Sequence, residues 1–99
     1  MDLREKIYQN LRKVPKGKVI SYKELGKSVG INASRFVGTC MRTNPDPVKT
    51  PCYKVVLSSG KIGNYSSGGS KAKIKKLKND GIEVINGKIN MEKDGYVFS

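Results

Sequence analysis

The 99-residue chain has no histidine and no tryptophan, and only two cysteines, four prolines and eight acidic side chains. Without histidine there is no Ser-His-Asp or Cys-His dyad, and most catalytic zinc sites lose their usual ligand. Two thiols are too few for a four-thiolate structural zinc site. No apolar run approaches the ~20 residues that a spanning helix needs, so no membrane partner is expected. Asp2 and Glu5 sit in an amphipathic N-terminal pattern that does not have the form of a secretory signal. Cys40 and Cys52 are accordingly expected as reduced thiols of a monomeric, cytoplasmic protein.

Positive charge is what the chain has in excess. Twenty Lys and Arg leave a net charge of +12. Self-repulsion on that scale is relieved by a polyanion. No segment joins a basic face to a wide Trp/Phe/Leu face, which favours nucleic acid over an anionic membrane surface. A Lys-rich composition by itself also fits a protein with no such partner. With 36% apolar residues, the length suits one folded domain over 1–99.

Leu3, Ile7, Leu11 and Val14 form one apolar stripe, predicting a helix over 3–14 capped by Asp2. Pro15 to Lys18 breaks it, and Val19-Ile20 reads as a short extended stretch. Ser21-Tyr22-Lys23-Glu24 has the form of a capping box, so a second helix should start at Tyr22 and stop near Gly30. Asn32 is expected to cap a third, running through Arg42 to the breaker Asn44-Pro45-Asp46-Pro47. Two short helices joined near Gly30 make a helix-turn-helix candidate. Lys54 to Leu57, a turn, and a return strand at Ile62 stand where a wing would follow. Lys71 to Asn79 predicts a helix with Ala72, Ile74 and Leu77 inward and five lysines outward, ended by Gly81. Asn86-Gly87 predicts a hairpin between Val84 and Ile89. The fold class expected is mainly α, a winged helix-turn-helix domain with one or two short β-hairpins.

Two glycine-containing stretches approach a phosphate-binding loop and fail. Gly63 to Gly69 has Gly where the lysine must stand, and the stretch ending Gly26-Lys27-Ser28 starts at Ser21 where a glycine is needed. Cys40, on a helix, reads as a small core hydrophobe. Cys52 differs, because it sits at a loop-to-strand junction beside Lys54 in an electropositive chain. Positive charge favours the thiolate, which is the nucleophile.

Pro51-Cys52-Tyr53-Lys54-Val55 resembles the Pro-Cys-His-Arg-Val signature of the O6-alkylguanine-DNA alkyltransferases. Gly17 to Tyr22, Arg35 to Gly38, Arg42 to Pro45 and Gly63 to Ser66 match further family segments in order and spacing. The resemblance covers roughly Leu3 to Gly81 and lacks the family's N-terminal α/β domain. From Gly81 to Phe98 the chain looks more like the shorter alkyltransferase-like proteins, which recognise the lesion without repairing it.

The resemblance implies that the third helix enters the minor groove of double-stranded DNA and that an O6-alkylguanine is flipped towards the thiol. Flipping is a physical necessity, since the alkyl carbon is out of in-line reach in a stacked base. Implied DNA contacts are Tyr22, Ser34, Arg35, Phe36, Gly38 and Arg42, with Arg35 filling the gap left by the base. Implied pocket residues are Met41, Val55, Gly63, Tyr65 and Ser66. The implied catalytic set is Cys52, Tyr53, Asp80, Asn44 and Tyr22, with no cofactor and no metal. Tyr22 and Met41 have plainer readings as core-packing residues. Tyr53 replaces the family's His, and a phenol is a poor base at neutral pH, so slow transfer is expected; Asp80 accepting the proton or Lys54 stabilising the thiolate are the alternatives. Phe36 stands where the family places a small residue, and both a wedge in the groove and an inward turn are open. The expected activity is single-turnover alkyl transfer to Cys52. The alternatives are a sensor that holds the lesion for nucleotide excision repair proteins, and a plain winged-helix DNA-binding protein.

Overall fold

Asp2 caps the first helix as the sequence predicts. In the computed structural model, which describes residues 2–65 and 67–98, its carboxylate accepts the Glu5 amide at 2.9 Å and α1 spans Leu3–Arg12. Val14 lies beyond the helix yet is buried, its amide held by the Leu11 carbonyl at 3.1 Å. The Ser21 hydroxyl accepts the Glu24 amide at 3.0 Å and starts α2, Tyr22–Ser28; such a cap stabilises by ~1 kcal/mol.

The third helix, α3, spans Ser34–Arg42 with Ala33 as N-cap and no side-chain cap. The Asn32 cap is therefore corrected. The helix begins one residue later than expected, and the Phe36 and Val37 amides take the Ala33 carbonyl at 3.1 and 3.3 Å. α2 and α3 meet at Gly26, where a Cβ would stand 3.3 Å from the Ile31 carbonyl oxygen and 3.4 Å from a Val37 methyl. A larger residue would open this elbow of the helix-turn-helix.

The wing differs from its expectation. β1 (Ile20–Ser21) pairs in parallel with β2 (Val55–Val56), Ile20 against Val55 and Ser21 against Val56. The turn after β2 does close, with the Leu57 amide on the Lys61 carbonyl at 2.9 Å. Ile62, however, bonds Gly87 at 3.2 Å instead of returning along β2. The reason is burial on both faces of β2: Val55 and Val56 are wholly inaccessible. That pattern suits a covered parallel pair better than a half-exposed hairpin.

α4 (Gly69–Asn79) ends as predicted at Gly81, whose φ of +85° lets the Ile82 amide reach back to the Leu77 carbonyl at 3.1 Å. The Asn86-Gly87 hairpin forms, with φ of 52° and 73° and paired bonds of 2.9 and 3.0 Å between Ile85 and Lys88. A one-turn helix, α5 (Met91–Asp94), was not expected; the Asn90 side chain caps it. Beyond it the chain crosses Val19, with the Val19 amide on the Asp94 carbonyl at 2.8 Å and the Tyr96 amide on the Val19 carbonyl at 2.7 Å.

Two apolar clusters result. One holds α1, α2 and α3 together through Ile7, Leu11, Leu25 and Val37, and includes Cys40, Cys52 and Val55. The other gathers Val19, Val56, Leu77, Ile82 and Ile89. β2 divides them, sending Val55 to one side and Val56 to the other by strand alternation. The arrangement is the mainly helical, winged helix-turn-helix class read from the sequence. Among the described residues no helix is long and apolar enough to cross a membrane.

Candidate functional site

A cleft of about 740 Å³ opens between the helix-turn-helix and the wing. Tyr22 and Lys23 at the start of α2 form one wall, and Ser34, Arg35, Gly38, Met41 and Arg42 along α3 form the next. Leu57 to Ser59 and Gly63 to Tyr65 close the opposite side. Cys52 lines the cleft while being only 5% exposed. The thiol thus meets the cleft from a packed floor, at the start of a 3-10 turn spanning Cys52–Lys54 that leads into β2.

Each wall follows from local sequence. Ser34, Arg35, Gly38, Met41 and Arg42 recur at helical spacing, so one face of α3 supplies all five. Met41 both packs in the first core and lines the cleft, which unites its two readings. Gly63 has φ of +73°, and a Cβ there would come 3.6 Å from the Tyr22 hydroxyl. Glycine therefore keeps the space in front of Tyr22 open. Burial first, then the electrostatic influence of the neighbouring Cys52, pushes the Tyr22 and Tyr65 phenols above their ordinary value. Both hydroxyls hold their protons at neutral pH and can donate.

Two expected pocket or DNA residues lie elsewhere, and a third is outside the described residues. Val55 is fully buried in β2 and is absent from the cleft wall; its carbonyl accepts the Lys73 ammonium at 2.6 Å. Phe36 turns inward, half-buried against the first core, because its position on α3 falls on the core side. Ser66 lies outside the described residues. Asn44 sits behind the cleft and braces the loop before the thiol, its side-chain amide donating to the Thr50 carbonyl at 2.7 Å.

Tyr53 and Asp80, 27 residues apart, do meet: the phenol donates to an Asp80 carboxylate oxygen at 2.5 Å. Burial, then this bond, push the Tyr53 phenol well above the ordinary range. Neither residue lines the cleft. The Lys76 ammonium stands 5.8 Å over the Tyr53 ring.

Lys54 was an expected partner for the thiolate, and the structure corrects this. Its ammonium is buried and donates to the Val14 carbonyl at 3.0 Å. The lysine that turns inward beside Val55 is Lys73, one of the five expected to point outward. Lys73 is wholly inaccessible and donates to Val55 at 2.6 Å and to the Asn64 carbonyl at 3.1 Å. Burial draws it down to about 8, against a smaller opposing electrostatic influence of Cys52. The signal was present: Lys73 precedes Leu77 by four residues and shares its inward face. Thr50 was also missed. It is 1% exposed and accepts the Arg12 guanidinium at 2.9 Å; nothing local in the sequence links positions 12 and 50.

Among the described residues, no group of three or more His, Cys, Asp or Glu side chains could hold a metal ion. Cys40 and Cys52 are both free and buried.

The model of the 6-O-methylguanine DNA methyltransferase, DNA binding domain, matches residues 2–82. A bifunctional methyltransferase/endonuclease of Picrophilus torridus is 39% identical over 94 residues, covering 94% of this chain and 31% of that protein. The methylated-DNA–protein-cysteine methyltransferase of Homo sapiens is 47% identical over 66 residues, 66% of this chain and 32% of its own length. The chain thus spans about a third of the curated relatives it matches. S. pombe Atl1, solved with damaged DNA containing O6-carboxymethylguanine, superposes with a TM-score of 0.85 at 24% identity, covering 97% of this chain and 98% of that one. At that identity it speaks for the fold alone. With the matched model spanning both the helix-turn-helix and the cysteine loop, the chain belongs to the 6-O-methylguanine DNA methyltransferase family, by its DNA-binding domain.

Proposed function

We propose that this chain reverses O6-alkylguanine damage in duplex DNA by accepting the alkyl group on Cys52. The observation that carries the reading is the Cys52 thiol on the floor of a cleft walled by the exposed face of α3. α3, with Arg35 and Arg42 exposed, would lie in the minor groove, and the flipped base would enter between Tyr22, Met41 and Tyr65. The thiol proton leaves to cleft water, and the thiolate attacks the alkyl carbon in line. The S–C bond forms as the C–O6 bond breaks, and the electron pair departs on guanine. Tyr22, whose phenol holds its proton, stands ready to donate to the leaving base. The thioether is stable, so each molecule acts once. Held geometry and exclusion of water supply most of the rate. Intact-mass spectrometry after incubation with O6-methylguanine duplex tests it: Cys52 should gain one methylene's mass, and Cys52→Ala should gain none. An unmodified Cys52 after long incubation overturns repair.

One observation favours a second reading, a sensor that holds the lesion for excision repair proteins. Tyr53, which follows the nucleophile, keeps its proton and donates a hydrogen bond to Asp80, and so offers no base. Tight binding of the alkylated duplex with no change in mass selects this reading.

A further inference from the structure

Three polar side chains on one side of α1 reach the segment that carries both the reading helix and the thiol. Arg4 donates to the Thr43 hydroxyl at 2.5 Å, Tyr8 to the Cys40 carbonyl at 2.7 Å, and Arg12 to the Thr50 hydroxyl at 2.9 Å. Their spacing of four residues places them in one row along the helix. The three acceptors lie on α3, just past its end, and in the loop before Cys52.

Thr50 is where this row touches the nucleophile. Its carbonyl accepts both the Asn44 side-chain amide at 2.7 Å and the Cys52 backbone amide at 2.8 Å, and its hydroxyl is taken by Arg12. Being 1% exposed, it has no solvent to replace a lost partner. A rotation of Thr50 therefore moves the Cys52 backbone, while α3, fixed by Arg4 and Tyr8, stays in place.

We infer that Arg12 and Thr50 are a positioning pair, through which α1 sets the Cys52 sulfur in register with the DNA-reading face of α3. Neither residue lines the cleft. The pair acts on the line of attack and not on DNA affinity. The inference rests on the proposed repair reading, and its test separates the two.

The full chain is mixed with excess O6-methylguanine duplex, and transfer is followed by intact mass over a range of duplex concentrations. Thr50→Val, which keeps the shape and removes the hydroxyl, should slow transfer at saturation by about tenfold, since sub-ångström misplacement has effects of that order. The half-saturating duplex concentration should stay within about twofold of wild type, a shift too small to signal lost binding. Thr50→Ser should restore the rate, and Arg12→Met should match Thr50→Val without adding to it in the double variant, as for one shared interaction. A Thr50→Val protein that transfers at the wild-type rate overturns the pairing, as does one whose affinity falls with its rate. If the wild type transfers nothing, repair has failed on its own. The same variants are then compared by iodoacetamide labelling of Cys52, located by peptide mass: a several-fold change in Thr50→Val, reversed in Thr50→Ser, upholds the pair, and an unchanged rate overturns it. Should Thr50→Val not fold, Arg12→Met against Arg12→Lys carries the same comparison.

Discussion

The Tyr53 hydroxyl donates to the Asp80 carboxylate at 2.5 Å, tying the residue after Cys52 to the C-cap of α4. A phenol that donates a hydrogen bond to a carboxylate, and is held protonated by burial, is a donor and a brace rather than a base. Its place in the chain would suit an imidazole backed by the same carboxylate.

Replacing Tyr53 should reveal this. Tyr53→Phe is expected to leave the single-turnover rate within about threefold, because no proton transfer is lost. Tyr53→His should raise it by about tenfold or more at neutral pH, since an imidazole with a reference value of ~6.5 faces Asp80. A transfer rate lost in Tyr53→Phe would assign the hydroxyl a direct role.

Lys73 predicts a pH dependence of stability. Its ammonium is drawn down to about 8 from 10.5 by burial. Between those values the unfolded chain holds a proton that the folded chain has released, so this group makes unfolding harder as pH rises from about 8 towards 10.5. Below about 8 both states carry the proton and the slope vanishes. Urea titrations should show wild type gaining stability relative to Lys73→Met across that window. Parallel curves would mean that Lys73 titrates normally.

Gly38 and Gly60 should behave in opposite ways. At Gly60, φ is +94° and a Cβ would stand 2.4 Å from the Ile89 carbonyl oxygen, so Gly60→Ala should destabilise by roughly 2–3 kcal/mol in thermal or urea unfolding. At Gly38, on α3, a Cβ meets only an Arg42 nitrogen at 3.9 Å. Nothing inside the protein requires glycine there, and Gly38→Ala should stabilise the helix by about 0.5–1 kcal/mol. The same methyl projects into the cleft face, so duplex affinity should fall. Unchanged affinity would place the DNA elsewhere.

Salt should report the interface. Arg35→Ala and Arg42→Ala should each reduce the slope of log affinity against log salt by about 0.9 if each neutralises one phosphate. Fluorescence anisotropy of a labelled duplex at several salt concentrations measures it. An unchanged slope in both variants would remove α3 from the contact surface.

Much of this molecule is legible in one dimension where the interactions are local. Asp2, Ser21 and Asn86-Gly87 act within three residues of themselves, and the helices and turn they specify appear where the sequence places them. Cys52, Tyr22, Gly63 and Tyr65 could be grouped through ordered motifs, and the fold brings them to one cleft. What could not be read is non-local. The partner of β2 is a strand 35 residues earlier, chosen by burial of Val55 and Val56 rather than by the adjacent turn. For Lys73 the inward position could be read from its spacing to Leu77, but its partners could not, because they are backbone carbonyls with no side-chain signature. Asn32 failed as a cap by a single residue, the usual scale of helix-boundary error.

The second apolar cluster has a practical consequence for cutting the gene. Similarity to the family model stops at residue 82, yet Ile89 is 4% exposed in that cluster, and Tyr96 holds Val19 from the far end of the chain. A fragment trimmed to the matched stretch would lose the strap over Val19 and uncover Val56 and Leu77 beside the cysteine loop. The stretch that the family model matches is shorter than the stretch that must be synthesised for the thiol to stand on solid ground.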